Sequence, residues 1–118
     1  MRACTRFTVK RMVDAPIIYP SMPGLEGALG ENINGPSLVR VPEWVDGALG
    51  RYYLYFAHHS GNYIRMAYAD KLAGPWTVHE SGVLHMDDAP GRAHIASPDL
   101  HIISDRSLFR MYFHQPAP

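Results

Sequence analysis

The sequence lacks most of the features that mark a special environment. It holds one cysteine, Cys4, so no disulfide can form within the chain and the redox compartment stays open. Neither charge is in excess, because eleven Lys and Arg balance eleven Asp and Glu. Neutrality argues against a nucleic-acid footprint, which needs clustered positive charge, and against a polybasic membrane anchor. No run approaches the roughly 18 apolar residues of a membrane-spanning helix. The N-terminus carries Arg2, Arg6, Lys10 and Arg11, but no apolar stretch comes after them, because Asp14, Pro16 and Pro20 interrupt it. No secretory signal is expected in this reading frame, and a cytoplasmic location is the default. Helix is scarce as well. Ten Gly and ten Pro in 118 residues leave little room for a long one.

What is present favours strands. Seven Tyr, four Phe and two Trp suit a β-rich core. The length fits one small domain. Residues 1–31 read as a lead-in, with short strands expected around Phe7-Thr8-Val9 and Ile17-Ile18-Tyr19. Residues 32–80 read as four strands, at 36–41, 51–57, 63–69 and 76–79. Pro36 opens the first, where its missing N–H is tolerated. Loop 42–50 carries Trp44 as its anchor. Gly61-Asn62 give the turn into the third strand its backbone freedom. That strand alternates Tyr63, Arg65 and Ala67 against Ile64, Met66 and Tyr68. Even spacing with hairpin turns predicts an up-and-down meander. Residues 81–94 form a linker, in which Asp87-Asp88 mark a solvated loop.

At Ile95 the pattern begins again. Ile33-Asn34-Gly35-Pro36-Ser37-Leu38 is matched by Ile95-Ala96-Ser97-Pro98-Asp99-Leu100. Tyr53-Leu54-Tyr55-Phe56 is matched by Arg110-Met111-Tyr112-Phe113. A four-stranded unit repeating at about 60 residues is the signature of β-propeller blades. The second unit, 95–118, supplies two strands only. The expectation is therefore all-β, an incomplete five-bladed β-propeller with its first blade complete and its second partial. A single six-stranded sheet or sandwich without a true repeat is the alternative.

Three runs carry a family resemblance: Arg51-Tyr52-Tyr53-Leu54-Tyr55-Phe56-Ala57, Ile64-Arg65-Met66-Ala67-Tyr68-Ala69-Asp70, and Leu72-Ala73-Gly74-Pro75-Trp76-Thr77. Together they resemble the first blade of glycoside hydrolase family 43-like proteins, and Ala96-Ser97-Pro98-Asp99-Leu100-His101 resembles the second. The resemblance spans roughly residues 16–114 and implies a five-bladed propeller acting on arabinose- and xylose-containing glycans. That family uses three carboxylates: a general base just before the Pro of the first inner strand, a second Asp in the third blade, and a Glu general acid in the fourth. Here Gly35 precedes Pro36, with Asn34 before it, and neither can take up a proton. The other two positions would fall beyond Pro118. The implied function is a fragment of a glycoside hydrolase-like propeller, inactive alone. The alternatives are a non-catalytic carbohydrate-binding propeller and a non-functional truncated product.

Antiparallel pairing sets the start of the first strand of a unit beside the end of its second. Asn34 and Ser37 are thus expected near His58 and His59, and His94 and Asp99 near His114 and Gln115. Asn34, His58, His59, His94, Asp99 and His114 are the candidate carbohydrate-binding residues, with Trp44 and Tyr63 as stacking faces. Each has a plainer role open to it. Asp99 can serve as a turn acceptor, and His58 and His59 as solvated turn residues. Asp99 is the first catalytic candidate. Asp14, before Ala15-Pro16, is the candidate substitute for the missing base. No organic cofactor is expected, and a metal ion held by histidines is the lesser alternative. His58, His59, His94 and His114 lack the paired spacing of a metal site. The final strand, 108–114, is expected to leave an unpaired edge open to self-association.

Overall fold

The computed structural model describes residues 6–118, and Arg2 and Cys4 lie outside them. Among the described residues the chain is all-β, with short 3-10 turns between strands. β1 (Asn34–Arg40), β2 (Tyr52–Ala57), β3 (Tyr63–Ala69) and β4 (Thr77–His85) form one antiparallel sheet in chain order. β5 (Ala96–Ile103) and β6 (Leu108–His114) form a second. No helix among the described residues is long and apolar enough to cross a membrane.

The first sheet is buried on both faces. One face presents Val39, Tyr53, Tyr55, Ala57, Ile64 and Met66 to Ile95 and to Ala96 and Leu100 of the second sheet. The other presents Leu54, Phe56, Ala67, Ala69, Trp76 and Val78 to Met22 and Leu25 of the lead-in. This explains why β2 is an almost unbroken apolar run: a strand covered on both sides has no face for solvent. The second sheet is covered on one side, and β5 and β6 alternate accordingly.

Three expectations need correction. No strand forms at 7–9, where Phe7 and Val9 are 86% and 92% exposed and cover nothing. Residues 17–19 bend, and Ile17 and Ile18 pack their side chains onto the Phe56 face instead. The fourth strand runs on to His85, into the expected linker, through an irregularity opposite Ile64 and Met66. Gly82 permits this, with φ of 65° where a Cβ would overlap the Tyr63 ring. Asp87 and Asp88 then lie exposed in a single 3-10 turn.

Burial, with a smaller contribution from Tyr53, pushes the Tyr55 phenol up to about 12 from its ordinary 10.0. The core holds the neutral form, so the unfolded chain ionises first as pH rises. The stability this group supplies is complete below about pH 10 and is lost between about 10 and 12. Tyr55→Phe is expected to remove on the order of 1–2 kcal/mol of that alkaline loss, read by denaturant unfolding across the window. Parallel curves for the two proteins would exclude it.

Candidate functional site

The site begins at two matching backbone irregularities. In the first unit Asn34 pairs with Ala57 and Ser37 with Tyr55, the ladder slipping by one residue between them. In the second, Ala96 pairs with His114 and Asp99 with Tyr112, with the same slip. The residue before proline is left-handed in both, Gly35 at φ 60° and Ser97 at φ 54°. The two bulges meet: a Cβ on Gly35 would stand 3.1 Å from Ser97 Cα. Beyond the bulge, Ser37 Oγ accepts the Leu100 N–H at 3.0 Å, which ties the sheets together.

The β2–β3 turn is fastened to the same place. His58 Nδ1 accepts the Ser60 N–H at 3.0 Å, and the His58 carbonyl accepts the Gly61 N–H at 3.1 Å. The Gly61 carbonyl accepts from Ile95 N–H at 2.9 Å, and that of Asn62 from Met86 N–H at 2.8 Å. These bonds bring His59 beside His94, rings 6.3 Å apart and 26° from parallel. His94 in turn lies 5.3 Å from His114. Asn32 Oδ1 joins Asn34 to this row, accepting from the Asn34 side-chain amide and, at 3.1 Å, from the His59 N–H. Gln115 Oε1 closes the far side by accepting the Gly91 N–H at 2.8 Å.

Asn34 is thus set near His59, and His94 near His114, as antiparallel pairing predicted, and the Gly61–Ile95 bond brings the two groups together. The remaining candidates stand elsewhere. His58 turns its ring nitrogen into its own turn and lines a separate cavity with Tyr63 and Arg65. Asp99 is exposed, its Oδ2 2.9 Å from His101 Nε2. Asp14 is exposed on the lead-in. Trp44 sits in the β1–β2 loop, at the opposite end of the strands from Asn34, edge-on to Phe109 at 5.6 Å. It therefore cannot stack on anything held by the histidine row. Tyr63 is at the correct end, but its ring already stacks on His85 at 5.2 Å and 13°.

Sequence reasoning missed Asn32 in the row, and His101 and Arg65 outside it. His101 could have been found, since two residues from Asp99 along a strand means the same face. It also meets Tyr112 edge-on at 5.6 Å.

A viral protein is similar to this chain. The chain is 34% identical over 104 residues to Uncharacterized protein R118 of Acanthamoeba polyphaga mimivirus, covering 74% of this chain and 29% of that protein. The chain therefore spans less than a third of the length of that relative. No family model and no solved structure matches this chain.

Chemically, the row is a set of directional donors and acceptors without an acid. Each neutral imidazole offers one donor and one acceptor, and Asn34 offers both. Among the described residues, no three His, Cys, Asp or Glu side chains are set to hold a metal ion. Glycoside hydrolysis ordinarily needs two carboxylates flanking the scissile bond. The nearest catalytic candidate by sequence, Asp99, is engaged with His101 instead.

Proposed function

We propose that this chain is one complete blade and part of a second from a propeller resembling the glycoside hydrolase family 43 group, and that its histidine rim binds neutral, plant-type glycans without cleaving them. The observation that carries the proposal is the repeated bulge. Two units with one strand register, each with a left-handed residue before proline, support a structural repeat of the kind that builds blades. The closest packing between the sheets is of β1 against β5, consistent with first strands converging on a common axis. Sugars demand many directional hydrogen bonds, and the rim offers Asn34, His59, His94 and His114 at that end of both units. Non-catalytic binding is favoured over hydrolysis by Gly35, whose backbone leaves no room for a general base.

Calorimetric titration with arabino- and xylo-oligosaccharides tests this. His94→Ala is expected to weaken binding about tenfold, near the value of one or two hydrogen bonds, without lowering Tm. No detectable heat with the unaltered chain at millimolar sugar would sink the proposal. No turnover of aryl arabinosides or xylosides is expected. Turnover that vanished in Asp99→Asn would overturn the non-catalytic assignment.

The proposal also extends to self-association. Among the described residues β6 pairs only with β5, and its outward Leu108 and Tyr112 are 37% and 57% exposed. A free edge of this kind recruits another strand. The sedimentation coefficient is expected to rise with concentration, and Tyr112→Lys to suppress the rise. A monodisperse monomer at high concentration would exclude edge pairing.

A further inference from the structure

Arg65 is the one charged residue buried among the described residues, 2% exposed in the middle of β3. Its guanidinium carbon lies 5.0 Å from the centre of the Phe56 ring. The two terminal nitrogens donate to the backbone carbonyls of Leu29 and Asn32. Its Nε–H is buried and has no partner. Among the described residues the only carboxylate contact with a basic side chain is that of Asp99 with His101, so no carboxylate neutralises Arg65.

A buried charge without a counter-charge costs several kcal/mol. Two carbonyl dipoles and an aromatic face return part of that cost, not all of it. Burial lowers the Arg65 pKa, and Tyr63 opposes the shift. A guanidinium nevertheless remains protonated in proteins, so the charge must be met by something.

A cavity of about 310 Å³ adjoins it, lined by Leu29, His58, Ser60, Asn62, Tyr63 and Arg65. This volume lies at the small end of ligand cavities. Arg65 is the only Lys or Arg in the lining, so a monoanion balances the site and a phosphate dianion does not. His58 Nδ1 is occupied as an acceptor, which leaves Nε2–H as the donor of the neutral ring. We infer that this cavity binds a small carboxylate-bearing ligand of the sugar-acid class, its carboxylate facing Arg65 and its hydroxyls the β2–β3 turn. The site shares that turn with the histidine rim but does not depend on glycan binding there.

The test tracks the Arg65 Nε–H resonance of the unaltered chain by two-dimensional ¹H–¹⁵N NMR. Sodium glucuronate is expected to shift it saturably, together with the Ser60 to Asn62 amides. Arabinose, a neutral sugar, is expected to leave the Arg65 resonance in place. Ser60 is an exposed turn residue, and Ser60→Glu brings a carboxylate to the cavity mouth. That variant is expected to weaken glucuronate at least about tenfold with an unchanged circular dichroism spectrum. The inference is overturned by no Arg65 shift at about 50 mM glucuronate, or by an equal shift with arabinose. A larger response to inorganic phosphate than to glucuronate would overturn the carboxylate assignment.

Discussion

Gly35→Asp is expected to destabilise the chain by about 2–4 kcal/mol and to create no hydrolase. The resemblance to family 43 places a general base at the residue before the proline of the first inner strand. In this chain that position holds φ at 60°, where side chains other than glycine are strained. The added Cβ would also stand 3.1 Å from Ser97 Cα, a backbone atom that cannot rotate away. Aspartate tolerates left-handed backbone better than most residues, which softens the first cost. It does not soften the second. Gly35→Ala separates the two, because alanine meets the same contact without local hydrogen bonding. Denaturant unfolding is expected to rank both variants well below the parent, alanine at least as low as aspartate. A stable Gly35→Asp protein would show that the two bulges can part, and the catalytic position would then be open.

The second large effect lies on the opposite face of the same sheet. Phe56 is 1% exposed and sits among Leu25, Leu54, Ala67 and Trp76. Phe56→Ala is expected to cost about 3–5 kcal/mol through lost transfer energy and the cavity left behind. Small domains have only about 5–15 kcal/mol in total, so much of that margin would go. Phe56→Leu isolates the other contribution of the ring. It keeps most of the apolar volume but removes the face beneath the Arg65 guanidinium. That variant is expected to lose about 1–2 kcal/mol, the repacking penalty plus a cation–π contribution. Equilibrium unfolding of the three proteins reads both steps. Indistinguishable curves for Phe56→Leu and the parent would mean the ring does nothing for the buried cation.

The strands of the first unit were legible wherever turn residues bracket a β-rich run. Tyr63–Ala69 falls between Gly61-Asn62 and Asp70, and its limits matched to the residue. β4 was cut short because Gly82 looks like a terminator, whereas its left-handed backbone carries the strand past an irregularity. The lead-in misled in another way. Its isoleucines are apolar because they cover Phe56, not because they pair. In the site, antiparallel geometry set Asn34 near His59 and His94 near His114, but the joining of the two groups depends on the Gly61–Ile95 bond between the units. The same geometry puts loop 42–50 at the other end, so Trp44 was misplaced by a rule already in hand. Arg65 was harder. Alternation along β3 fixes which residues share a face, but both faces of this sheet are covered. Nothing local to Arg65 says that the carbonyls of Leu29 and Asn32, more than thirty residues upstream, close over it.

The unequal covering of the two sheets sets an order of assembly. β1 to β4 join neighbour to neighbour through short connections, so their contacts cost little loop entropy and can form early. An isolated two-stranded hairpin is marginal in water. The β5–β6 pair therefore has to condense onto a sheet that already exists, guided by Ser37 and by Ile95, which is anchored to Gly61. On unfolding it leaves first. The histidine row is built half from each unit, so it exists only while that docking holds.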